Sequence, residues 1–206
     1  MEKQFLLLCN RPAPNTNAST ITESINAIKA MPGWIVREVS MLGSLPEGID
    51  LNRFDALGIH YTLHLSEPEN YFLNESAISR IATFRGIKCV WLQDEYRRVN
   101  ALRRTLKRLG VTIIFSLASG QTLEQLYPSS DMPGVRKETV FAGYVPKQSP
   151  DALNLGKQIS ERPIDVGYRA RRPPYWLGSL GQEKINIGLG FIRHPESHSL
   201  SLDISV

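Results

Sequence analysis

The stretch IKCVWLQDEYRRVNALRRTLKRLGVTIIFSLA, Ile87 to Ala118, holds the pattern that decides the fold. It opens on a short apolar run, IKCVWLQ (Ile87 to Gln93), of the length and composition of a buried strand. Val99, Leu102, Leu106 and Leu109 then recur at helical spacing, and the pattern stops at Gly110. VTIIFSLA (Val111 to Ala118) is apolar again and reads as another strand. Two near-continuous apolar strands joined by an amphipathic helix make a parallel pair with a crossover helix, buried on both faces.

The same alternation extends on both sides. QFLLLC (Gln4 to Cys9) reads as the first strand, ending at Asn10-Arg11-Pro12. Thr20-Ile21-Thr22-Glu23 has the form of a capping box, and Ile21, Ile25 and Ile28 line one face of the helix it would open. Pro32-Gly33 ends that helix before a second strand, WIVREV (Trp34 to Val39). FDALGIHYTL (Phe54 to Leu63) reads as a third strand. A second capping box, Ser66-Glu67-Pro68-Glu69, precedes a helix with the stripe Ala77, Ile78, Ile81 and Phe84, and Gly86 stands where a left-handed cap is wanted. Past Ala118 come a short helical piece, Leu123 to Tyr127, and a strand, ETVFAGYV (Glu138 to Val145). Residues 1–146 are therefore expected to form a doubly wound α/β domain with a mostly parallel, Rossmann-like sheet. Residues 147–161, polar and broken by Pro150, read as a linker. Residues 162–206 offer a strand (Arg162 to Tyr168), a loop, a helix (Leu177 to Ile192) and a strand (Leu200 to Val206). That is one strand-helix-strand unit, the beginning of a second Rossmann-like domain, since domains typically run to about 100 residues or more.

Composition narrows the class. The chain has 206 residues, 42% hydrophobic and 21% charged, enough apolar material for a packed core, which excludes a disordered or collagen-like chain. Its two cysteines, Cys9 and Cys89, lie in apolar runs and cannot build a disulfide framework or a four-cysteine zinc site. FLLLC is too short for a signal-peptide core, and no apolar run reaches the roughly 18 residues of a membrane span. A cytoplasmic protein is expected, with the sequons at Asn17 and Asn74 unused. Its net charge of +4 is mild, so the place where positive charge gathers matters more than the total.

In a doubly wound sheet, ligands bind beyond the carboxyl ends of the strands. Those ends carry Asn10 and Arg11, His60 and Tyr61, Gln93 to Glu95, Ser116 to Ser119, and Arg169 to Arg172. The first strand-helix loop has no glycine and no P-loop pattern occurs, which speaks against a dinucleotide or P-loop nucleotide site. His60 with His64, and His194 with His198, have i, i+4 spacing without the acidic partner of a zinc motif, so no metal is expected. His60 can serve as a general base near neutral pH. Asp94 suits either a helix N-cap or a catalytic carboxylate, and Glu95 suits the first helical turn or an acceptor-binding role. Arg97, Arg98, Arg103, Arg104, Lys107 and Arg108 make a basic helix face, either simply solvated or docked on an anionic membrane surface. No aromatic interleaving accompanies these arginines, and no nucleic-acid partner is expected. Tyr168, Arg169, Arg171 and Arg172 suit the binding of phosphate oxygens, or an interdomain salt-bridge loop.

Two strings carry a family resemblance. ERPIDVGYRARRPPYWLGSLGQEK (Glu161 to Lys184) is similar to the segment that opens the second domain of bacterial family-1-like glycosyltransferases of cell-surface polysaccharide synthesis, and VWLQDEYRRVN (Val90 to Asn100) resembles their first domain. The resemblance implies the GT-B fold, two Rossmann-like domains, the first holding the acceptor and the second most of the nucleotide-sugar donor. It implies transfer of a sugar to a hydroxyl of a glycan or lipid-linked acceptor, with no cofactor and no catalytic metal; the basic helix face adds the inner face of the membrane as a location beside the cytoplasm. On this reading His60 or Asp94 is the base or acceptor-orienting group. Asn10, Arg11, Tyr61 and Glu95 bind acceptor, and Tyr168, Arg169, Arg171 and Arg172 bind donor phosphate. The family's later donor-binding residues have no counterpart here, so the chain alone is expected to turn over little or nothing. The alternative is a non-catalytic α/β binding or regulatory module that recognises a phosphorylated ligand or an anionic surface.

Overall fold

The computed structural model describes residues 2–14, 19–66, 71–141 and 161–206. The chain divides into two compact units, residues 1–146 and 147–206.

The first unit is α/β, with a six-stranded, all-parallel sheet flanked by helices. Along the chain come β1 (Lys3–Cys9), α1 (Ser19–Lys29), β2 (Trp34–Ser40), β3 (Ala56–Ile59), α2 (Glu75–Thr83), β4 (Ile87–Trp91), α3 (Val99–Leu109), β5 (Ile113–Ser116), α4 (Gly120–Leu126) and β6 (Arg136–Thr139). In space the strands lie in the order β2-β1-β3-β4-β5-β6, every pair parallel. This is a Rossmann-like, doubly wound order, and its direction of growth reverses between β1 and β3.

Alternation along β1 shows how the sheet is buried on both faces. Leu6 and Leu8 pack with Leu57, Ile59, Val90 and Ile114 beneath α2, α3 and α4. Phe5, Leu7 and Cys9 face the other way, toward Ile25 of α1. The helices sort this way because a right-handed crossover leaves the sheet on opposite faces when the chain moves in opposite directions. Among the described residues, α1 is the only helix on the second face, and beside it Trp91 and Phe115 stack half-buried, 5.1 Å between centroids. Gly58 of β3 is needed there: a Cβ would come within 2.6 Å of the Phe5 ring and 2.7 Å of Trp91.

Helix starts differ from the sequence reading. Thr20 lies inside α1, which opens at Ser19, so the expected capping box does not cap it. The α2 start is Asn74, whose Oδ1 accepts the Ala77 amide at 2.9 Å. Of the box expected at Ser66 to Glu69, all but Ser66 lies outside the described residues, as does the sequon asparagine Asn17. Gly86 is not left-handed; it is there for space, since a Cβ would run into Phe84 and the Asp55 carbonyl. Gly110 is the left-handed residue, with φ 66°, closing α3. Asp94 is no cap either: it stands before a loop, left-handed at φ 58°, and Arg98 occupies the N-cap position of α3. β6 ends at Thr139, and the rest of the strand expected to run to Val145 lies mostly outside the described residues, as does most of the expected linker.

The described part of the second unit is a single β-α-β: β7 (Val166–Arg169), α5 (Gly178–Arg193) and β8 (Leu202–Ser205), with the two strands parallel. Gly188 lets α5 approach the Tyr168 ring, 3.1 Å from where its Cβ would stand.

Candidate functional site

At the reversal between β1 and β3, the carboxyl ends of β1, β2 and β3 and the polar side of α1 bring together a connected set of polar groups. The chain leaves β1 at Asn10, whose amide donates to Thr62 Oγ1 at 3.0 Å. Thr62 Oγ1 lies 3.0 Å from His60 Nδ1, and the Thr62 amide donates to the same nitrogen at 3.3 Å. On the ring's other side, His60 Nε2 is 3.3 Å from Ser24 Oγ of α1. The Tyr61 ring lies over His60 with centroids 3.9 Å apart, and burial foremost raises the pKa of its phenol. His60 is fully buried. Burial foremost, with the Arg11 guanidinium second, pushes its pKa down to about 4, so the imidazole is neutral at physiological pH.

Beside this set sits a half-buried ion pair. Arg11 grips Glu38 of β2 in a fork, Nε to Oε1 at 2.5 Å and Nη2 to Oε2 at 2.8 Å. Lys29 reaches the same carboxylate at 3.0 Å, and Arg11 Nη2 also donates to Asn26 at 3.1 Å. Arg11 first, then Lys29, holds Glu38 down at about 2, against the opposing effect of burial. Cys9 donates to Glu38 at 3.6 Å, and burial above all raises its thiol to about 12, an inert residue of the interior.

A cleft of about 270 Å³ opens at this carboxyl edge. Ser24, Tyr61, Trp91, Gln93, Leu117 and Phe141 contribute to its wall, and none of the described residues that line it is charged. It lies between Ser24, Ala27 and Ile28 of α1 and the Trp91 ring.

The residues singled out in the sequence therefore divide. His60 and Tyr61 lie ring over ring, but only Tyr61 reaches the cleft, and His60 stands behind it. Asn10 joins through its backbone, while Arg11 is spent on Glu38. Asp94 is exposed on the loop after β4. Glu95 is a buried internal lock: it accepts from Ser116 Oγ at 2.7 Å, the Leu117 amide at 3.0 Å and the Tyr127 hydroxyl at 2.6 Å. In the second unit Tyr168 donates to the Lys184 carbonyl at 2.7 Å, and Arg169 pairs with Asp203 at 2.5 Å. Arg171 and Arg172 are exposed and have no ion pair among the described residues, in the loop that leads from β7 toward α5.

The basic helix is partly neutralised from within. Arg97 and Arg98 precede α3 rather than belonging to it. Lys107 and Arg103 pair with Asp131, at 2.6 and 3.9 Å, and Arg108 with Glu75. Arg104 alone of the helical set is left without an ion pair among the described residues. Of the other histidines, His64 packs edge-on to Phe72 and His194 Nδ1 accepts the Glu196 amide. Among the described residues no cluster of three or more His, Cys, Asp or Glu could hold a metal, and no helix is long and apolar enough to cross a membrane.

Ser24, Thr62, Trp91 and Glu38 are the site's residues that the sequence reading did not single out, whereas Gln93 stood among its strand-end residues without a role. Glu38 carries the clearest signal, a charge inside the strand run WIVREV, while Ser24 and Thr62 acquire their meaning only through contacts across the fold. Compared with known protein families, curated proteins and solved structures, the chain matches none.

Proposed function

We propose that the chain is the acceptor-side domain, with the start of the donor-side domain, of a GT-B-like glycosyltransferase that moves a sugar from a nucleotide sugar to a hydroxyl of a glycan or lipid-linked acceptor. The observation that carries this reading is the wall of the cleft. Hydroxyl, phenol and amide groups from Ser24, Tyr61 and Gln93 stand beside the aromatic faces of Trp91 and Phe141, with no charge among them. A sugar ring presents the complement, hydroxyls at its edge and a C–H face that packs on aromatic surface. The position beyond the carboxyl ends of a doubly wound parallel sheet favours the same reading. Arg171 and Arg172, without an ion pair among the described residues, can fork onto a diphosphate, while Tyr168 and Arg169 are engaged in holding β7 to α5 and β8. The similarity of Glu161 to Lys184 and Val90 to Asn100 to the family supports the pairing of an acceptor side with a donor side.

Calorimetric titration of the whole chain with mono- and oligosaccharides and with nucleotide sugars tests this. A saccharide that binds the wild type and binds Gln93→Ala more weakly supports it. Folded wild-type chain that takes up neither saccharides nor nucleotide sugars overturns it, and binding confined to anionic vesicles would point instead to a surface-recognising module.

A further inference from the structure

The crossover from β2 to β3, residues 41–55, carries no α-helix; it is a loop with a single 3₁₀ turn, Leu51–Arg53. Crossovers between parallel strands usually lay a helix on the sheet. Here a cavity of about 550 Å³ stands in its place, lined by Gln4 of β1, Arg37 of β2, and Ile49, Asp50, Arg53 and Phe54 of the crossover. Gln4 opens β1 and Phe54 precedes β3, so the cavity lies toward the amino end of the sheet, away from the carboxyl-edge cleft.

Strand alternation explains why Arg37 is there. Trp34 and Val36 pack toward α1, and Glu38 pairs with Lys29 of that helix. Arg37 therefore faces the other side of the sheet, with Val39, which packs on the core beneath α2. Neither the Arg37 nor the Arg53 guanidinium has an ion pair or hydrogen bond among the described residues. The wall around them is braced. Arg80 of α2 donates to the carbonyls of Leu45, Pro46 and Ile49 at 2.9, 3.0 and 2.6 Å. Asp50 Oδ1 accepts the Asn52 amide at 3.0 Å and shapes the turn that carries Arg53. Ile49 and Phe54 rest on the core. The charge in the wall is thus two guanidiniums against the one carboxylate of Asp50.

We propose that this cavity binds a phosphate monoester, with Arg37 and Arg53 on the phosphate and Ile49 and Phe54 against the body of the ligand. A carboxylate has two oxygens, which one guanidinium fork already fills. A phosphate monoester offers three and carries close to two negative charges at neutral pH, enough for two forks. The volume falls within the range of small-molecule sites, roughly 300–1,000 Å³, and leaves room for an organic group beside the phosphate. This site belongs to the first unit, and its assignment does not depend on the saccharide reading of the cleft or on the role given to Arg171.

The test is a ¹H–¹⁵N chemical-shift titration of the full chain with phenyl phosphate, with inorganic phosphate and benzoate as comparison probes. Phenyl phosphate should move the amides of Arg37 and of residues 48–54, and bind there about tenfold more tightly than either comparison probe. Arg37→Gln and Arg53→Gln should each weaken it about tenfold, the loss of a charge-assisted contact. Both side chains are exposed, so these variants keep the fold. Asp50→Asn retains an acceptor for the Asn52 amide but removes the opposing charge, and should tighten binding severalfold, which a purely structural role would not do. Arg171→Ala should leave these shifts unchanged. Absence of shifts at Arg37 and residues 48–54, or binding that both arginine variants retain in full, overturns the site. Benzoate bound there as tightly as phenyl phosphate overturns the ligand class, and inorganic phosphate bound as tightly overturns the part given to Ile49 and Phe54.

Discussion

At the scale of single residues, His60 and Glu38 make the first unit sensitive to acid, and both act in the same direction. His60 has its pKa lowered from 6.5 to about 4 in the folded chain. Between those values the unfolded chain takes up a proton that the folded one refuses, so stability falls as pH drops, by about 3 kcal/mol in all. Glu38 is lowered from 4.5 to about 2, so the stability it contributes is full above about pH 4.5 and is lost as pH falls toward 2. Urea titrations followed by tryptophan fluorescence should give a midpoint that declines steadily below about pH 6.5, and His60→Gln should flatten the upper part of that decline. A midpoint constant down to about pH 4.5 would contradict the environment assigned to His60. The Glu95 lock makes a second claim at this scale. Tyr127→Phe removes a 2.6 Å donor from a buried carboxyl group and should cost about 1–3 kcal/mol in the same assay, against almost nothing if the contact is incidental.

At the scale of elements, the tight crossing of β3 with its neighbours is the place to press. Gly58→Ala would drive a methyl group into Phe5 and Trp91 and should cost about 1–3 kcal/mol, measurable as a lower denaturation midpoint. Helix α3 supports a different prediction, since Asp131 occupies two of its cations. Asp131→Asn should leave stability within about 1 kcal/mol and increase co-flotation with phosphatidylserine vesicles. Unchanged flotation would mean that this face does not meet anionic lipid. The strands were the legible part of the sequence, because runs such as FLLLC are apolar on both faces and short, as a buried parallel strand requires. Helix starts were less so. Asp94 and Glu95 look like the acidic opening of a helix, yet the Glu95 partners Ser116 and Tyr127 lie 21 and 32 residues away, a relation that no local pattern encodes. The site divides in the same way. The position of His60 and Tyr61 at a strand's end was readable from the run ALGI that precedes them, whereas the roles of Ser24 and Thr62 depend on how α1 and β1 return to that end.

At the scale of the whole molecule, two chemistries fall to two units: an aromatic-walled cleft in residues 1–146 and a basic loop in residues 147–206. Arg171→Ala should weaken the binding of a nucleoside diphosphate by about tenfold and leave saccharide binding unchanged, which paired calorimetric titrations would show. Equal diphosphate affinity would remove Arg171 from the donor side.

The central claim, that the carboxyl-edge cleft is a saccharide site of a sugar-transferring enzyme, is tested most directly by ¹H–¹⁵N chemical-shift mapping of the full chain during saccharide titration. The account predicts shifts that centre on Ser24, Tyr61 and Gln93, with those of an added nucleoside diphosphate appearing instead around Arg171 and Arg172. Saccharide-induced shifts that avoid the cleft, or no shifts from any sugar, would contradict it.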